Sequence, residues 1–182
     1  MDRSTLLALL QMPGTKFNNL VRDRLLPFAP ERVGPRKRAD YTARNALMLG
    51  VADTLAGLGV AWASAAASVR NSTEDLCEAL ASRGEGGGDI YLAQVRYLSF
   101  DVESNEGAYL TLELVCDLAE LDFEMGLQRR SLAPEQSRIL PPPDSVVLVN
   151  VSERLRLMRA IANVRPSHER LCRELDELGV GT

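Results

Sequence analysis

The chain has 182 residues, 46% of them hydrophobic and 25% charged, an ordinary globular composition that can bury a sizeable core. No apolar run approaches the roughly 20 residues of a membrane-spanning helix, and Met1-Asp2-Arg3-Ser4 does not open a signal peptide, so a cytoplasmic protein with no membrane partner is expected. Cys77, Cys116 and Cys172 are an odd, scattered set, which argues against a disulfide framework and fits reduced thiols.

The net charge of −4 speaks against nucleic acid until its distribution is considered. Up to Arg70 there are ten basic and five acidic residues, a balance of +5; the remainder carries eleven and twenty, a balance of −9. A basic head on an acidic body is the pattern of a DNA-binding module joined to a partner- or ligand-facing one.

In chain order, Ser4 is a candidate cap for a short helix carrying Leu6, Leu7, Leu9 and Leu10, broken by Pro13-Gly14. A second helix is predicted over 15–24, with Phe17, Leu20 and Val21 as the apolar stripe. Two short helices across a tight turn predict a helix-turn-helix. Pro27, Pro30 and Pro35 exclude helix in the next stretch, which reads as an extended hairpin tipped by Arg36-Lys37-Arg38. Thr42 caps a long helix with Leu47, Val51, Leu55 and Leu58 on one face, stopped at Gly59. An Ala-rich helix over 61–69 and a short one from Ser72 to Ala81 follow.

Gly84-Glu85-Gly86-Gly87-Gly88 reads as a linker between a domain over 1–83 and another over 89–182. Beyond it, 90–102 and 109–118 form a predicted hairpin about Ser104-Asn105-Glu106-Gly107. The stretch 117–130 fits helix or strand. A strand over 145–149, a helix over 152–162 and an amphipathic helix from Pro166, with Leu171, Leu175 and Leu178 in one stripe, complete the chain. That last stripe is a candidate oligomerisation surface or the closure of the C-terminal core. The expected fold class is α+β: an N-terminal winged helix-turn-helix followed by a small mixed α/β domain.

Several features of the first 70 residues form an ordered set: Leu25-Leu26-Pro27 after the second helix, Arg36-Lys37-Arg38 in the wing, Tyr41-Thr42 at its end, and Leu55-Ala56-Gly57-Leu58-Gly59 before the fourth helix. In this order they resemble the DNA-binding head of MerR-like transcription regulators. The resemblance stops there. Phe17-Asn18-Asn19 stands in place of the family's Arg-Tyr-Tyr, the long dimerising helix is missing, and the cysteines do not match those of metal-sensing members. The same head also resembles the winged modules of phage excisionases and small terminase subunits, which makes a phage-derived accessory DNA protein the alternative.

The resemblance implies a sequence-specific regulator of transcription at the nucleoid, acting on double-stranded DNA as a homodimer, with RNA polymerase or another regulator as further candidate partners. On the second helix Thr15, Asn18, Asn19 and Arg22 face outward; Asn suits adenine and Arg guanine in the major groove. Lys16 lies to the side, toward phosphate, and Asp23 suits an internal ion pair. Arg36, Lys37 and Arg38 are candidates for phosphate or minor-groove contact, and Arg44 for phosphate. Trp62 reads as a packing anchor and His168 as a solvent-facing residue. The glycine run lacks the Lys-Ser/Thr of a phosphate loop, and the acidic cluster Asp117, Glu120, Asp122 and Glu124 reads as a solvated face or a surface for a basic partner. No cofactor, metal or catalytic residue is expected.

Overall fold

The computed structural model describes residues 1–33, 38–82, 88–101, 106–118, 120–121, 145–164 and 169–178. Among these, the element order is α1 (Arg3–Leu10), α2 (Gly14–Arg22), β1 (Glu31–Val33), β2 (Arg38–Asp40), α3 (Ala43–Gly57), α4 (Trp62–Asn71), α5 (Thr73–Ser82), β3 (Tyr91–Asp101), β4 (Glu106–Cys116), β5 (Ser145–Asn150), α6 (Val151–Asn163) and α7 (Glu169–Glu177). The fold is mixed α+β: β1 and β2 form a small antiparallel hairpin, and the larger antiparallel sheet runs β4-β3-β5.

Local chemistry sets most helix ends. Asp2, not Ser4, caps α1: its carboxylate accepts from the Thr5 N–H at 2.8 Å and from the Ser4 hydroxyl at 2.8 Å, so the helix begins earlier than the expected cap allows. Those hydrogen bonds also hold the Asp2 carboxyl below its usual range. Thr42 caps α3 as expected. Its hydroxyl accepts from the Asn45 N–H at 3.1 Å, and the Asn45 side chain accepts from the Thr42 N–H at 3.1 Å.

α2 and α3 end in the same way. After α3, Val60 N–H reaches Leu55 O and Gly59 N–H reaches Ala56 O, each at 3.1 Å, with Gly59 at φ 95°. After α2, Leu25 N–H reaches Leu20 O at 2.8 Å and Arg24 N–H reaches Val21 O at 3.3 Å, with Arg24 at φ 57°. Both are Schellman turns, which need one residue in the left-handed region. α3 uses glycine there and α2 uses arginine; α1 ends in the same pattern, Met12 N–H to Leu7 O at 3.0 Å, with Gln11 at φ 53°. The left-handed turn also ends α2 at Arg22, two residues before the expected end.

α3 is the centre of the molecule. It is buried around most of its circumference, from Ala43 through Leu55, rather than along one face, because α1, α4, α6, α7 and β5 all pack on it. Leu58, expected on the apolar face, lies beyond the helix end and is 55% exposed. Gly50 is where α3 meets two helices at once. A Cβ there would lie 2.9 Å from Arg154 Nε on α6 and 3.1 Å from Leu10 Cδ2 on α1.

One continuous apolar core joins Leu6, Phe17, Leu49 and Leu76 to Ile90, Leu92, Leu155, Met158 and Leu175. The expected division between 1–83 and 89–182 is therefore not a break in packing; the residues 83–87 themselves lie outside the described set. Of the C-terminal stripe, Leu171 and Leu175 are buried in this core and Leu178 packs against it, which fits the second of its two readings, closure of the core. The physical reason is the approach of α7 to α3: Glu174 on α7 accepts from the Ala43 N–H at 3.0 Å.

The sheet is apolar on both faces. Leu92 and Val149 join the main core, while Ala93, Val95, Leu114 and Cys116 form a second cluster. A buried polar chain links α4 to the sheet: Gln94 donates to the Ser68 hydroxyl at 2.8 Å, and Ser68 donates to Glu113 at 2.7 Å.

Candidate nucleic-acid interface

α2 is held by Phe17 and Leu20, both buried, and its other side faces solvent. Thr15, Asn18, Asn19 and Arg22 are all exposed on it, as their spacing predicts. Arg3 on α1, not singled out from sequence, joins this surface. Its guanidinium donates to Asn18 Oδ1 at 2.7 Å and to Gly14 O at 3.3 Å, and lies 5.5 Å from the centre of the Phe17 ring. The bond fixes the Asn18 amide: its oxygen is taken, so its NH2 is left as a donor.

Arg22 is 71% exposed and grips its neighbour. Nε and Nη2 bond the two Asp23 oxygens at 2.7 and 3.0 Å. That hydrogen bonding lowers the Asp23 carboxyl pKa and raises that of Arg22. The internal pair expected for Asp23 is therefore with Arg22 itself.

Lys16 is directed to the body of the protein. Its ammonium lies 2.5 Å from Asp53 on α3 and 5.4 Å from the centre of the Trp62 ring. Its charge is already compensated there, which weakens it as a phosphate candidate. Arg44 is half-buried in the first turn of α3 and pairs with Glu74 on α5 at 2.5 Å. Arg36 and Lys37 lie outside the described residues. Arg38 is the first residue of β2, opposite Val33.

The hairpin and α2 are positioned relative to one another by Tyr41. This buried ring follows β2 directly and meets Phe17 of α2 edge-on at 6.0 Å and Phe28 at 6.2 Å. Burial raises its pKa. The segment leaving α2 is also tied down. Trp62 Nε1 donates to Leu25 O at 2.8 Å, and Arg70 donates to Leu26 O at 3.1 Å and to Pro27 O at 3.4 Å. Trp62 is thus the packing anchor its sequence position suggested.

A cleft of about 700 Å³ opens beside the end of α2, between the 24–30 segment, α3, α4 and α5. Nothing in the sequence marked it, because its walls come from three separate stretches, 21–30, 44–48 and 70–74. Among the described residues, no group of three or more His, Cys, Asp or Glu is arranged to hold a metal ion. No helix there is long and apolar enough to cross a membrane. Asp117 and Glu120 of the acidic cluster are joined by a Glu120 N–H to Asp117 Oδ1 bond of 2.8 Å; Asp122, Glu124 and His168 lie outside the described residues.

Compared with known proteins, the chain matches no family model and no curated sequence.

Proposed function

We propose that α1, α2 and the β1–β2 hairpin act as a winged helix-turn-helix that binds double-stranded DNA, and that the protein is a sequence-specific regulator of transcription. The observation that carries this reading is the exposed row Thr15, Asn18, Asn19 and Arg22 on the second helix of a helical pair, beside a hairpin fixed to that helix through Tyr41. A helix so placed enters the major groove, where its side chains meet base edges. Arg36, Lys37 and Arg38, the cations of the wing in the sequence, meet phosphates or the minor groove. The +5 balance of the first 70 residues supports the same partner. Paired half-sites bound by a homodimer are the usual way for one small head to gain specificity.

The test begins with genome-wide mapping of bound sites, followed by fluorescence anisotropy of the full chain on a mapped site and a scrambled duplex. The full chain is required because the core is continuous. Peaks at promoters support regulation, whereas a single packaging or attachment site supports an accessory phage role. Arg22→Ala is expected to weaken the mapped site roughly tenfold and the scrambled duplex much less. Replacing Arg36, Lys37 and Arg38 with Ala is expected to weaken both duplexes and to lower the salt dependence by about one unit of slope for each phosphate that is no longer neutralised. If neither change alters binding, the winged helix-turn-helix reading fails.

A further inference from the structure

The cleft at the end of α2 has the size of a small-molecule site: about 700 Å³, within the roughly 300–1,000 Å³ of such pockets. Its wall is apolar where Val21, Leu26, Phe28 and Met48 meet. Its charge is cationic. Among the described residues, Arg24, Arg44 and Arg70 line it against one carboxylate, Glu74. Glu74 neutralises Arg44 at 2.5 Å. Arg70 donates to the neutral Leu26 and Pro27 carbonyls, so its charge is uncompensated among the described residues. The Arg24 side chain has no hydrogen-bond or ion-pair partner among the described residues.

Arg24 occupies the left-handed position of its turn at φ 57°, as Gln11 does at φ 53° after α1, where α3 has Gly59. It stands on the rim of a cleft whose described residues leave two cations without a counter-charge.

We propose that this cleft binds an amphipathic small-molecule anion, a carboxylate or sulfonate carried on an aromatic body. The acid group meets Arg24 and Arg70 while the ring covers the apolar wall. A bare phosphate or sulfate would satisfy the guanidiniums and leave that wall wet, so the apolar body is part of the specificity.

The proposal is separate from the DNA-binding reading, and its test contains no DNA. The probe is 8-anilinonaphthalene-1-sulfonate, titrated by fluorescence against the full chain, with far-UV circular dichroism confirming that each variant is folded. One saturable site is expected. Arg24→Gln should weaken it about tenfold, as the removal of a charged hydrogen-bond donor does. Ala29→Trp, at an exposed residue of the cleft, should obstruct it. The neutral probe N-phenyl-1-naphthylamine should bind at least about tenfold more weakly than the sulfonate, by the same charge argument. Wild-type affinity in both folded variants would overturn the proposal. So would equal binding of the neutral probe, or displacement of the sulfonate by inorganic sulfate at comparable concentration. Should Ala29→Trp not fold, Arg24→Gln and the two probes decide alone.

Discussion

Replacing Arg24 with glycine should make the protein more stable and its cleft less able to bind an anion. The stability gain follows from the comparison of two turns with the same hydrogen-bond pattern, one closed by Gly59 at φ 95° and the other by Arg24 at φ 57°. A side chain in the left-handed region costs about 1–2 kcal/mol. Glycine returns about 0.5–1 kcal/mol of that through its greater freedom in the unfolded chain. The net gain is therefore about 0.5–1 kcal/mol, because the Arg24 side chain has no polar partner among the described residues to lose. In a chain of this size about 1 kcal/mol moves Tm by about 2–4 °C, so a rise of about 2 °C is expected. Thermal and urea unfolding followed by circular dichroism measure it; the urea midpoint should rise with an unchanged slope. A fall in both midpoints would refute the reasoning, since it would mean that the Arg24 side chain stabilises the fold. The same variant should bind 8-anilinonaphthalene-1-sulfonate more weakly. Opposite signs in stability and binding are what strain kept for a ligand produces.

Two further substitutions test how the head is held. Asp23→Asn releases Arg22 from its two-bond grip and removes a negative charge beside the exposed row proposed to meet DNA; anisotropy should show binding to mapped and scrambled duplexes tighter by a few fold. Weaker binding would mean that Asp23 orients Arg22 for its contact. Glu174→Ala removes the acceptor for the Ala43 N–H, together with a negative charge at the N-terminus of α3. Chemical denaturation should show a loss of about 1 kcal/mol; an unchanged midpoint would show that water replaces the carboxylate without cost.

What was legible in the sequence is what neighbours within a few residues decide. The Thr42–Asn45 capping box, the Pro13-Gly14 break, the β3–β4 hairpin and the outward row on α2 all follow from spacing and side-chain chemistry within one or two turns. The choice of Asp2 over Ser4 as the α1 cap was a matter of two nearby candidates, settled by which oxygen reaches the Thr5 N–H.

Periodicity shows that a helix has an apolar face but not what covers it. Leu171 and Leu175 therefore looked equally suited to a dimer and to the core, until the tertiary structure placed α7 on α3. Only that structure showed that a carboxylate 131 residues away caps α3 and that one core joins residues before and after the glycine-rich stretch. Likewise, the tertiary structure alone turned Lys16 toward Asp53 and brought Arg24, Arg44 and Arg70 around one cleft. These contacts join residues far apart in the chain. Their geometry is fixed by how the helices close around α3, and local sequence carries no record of that closure.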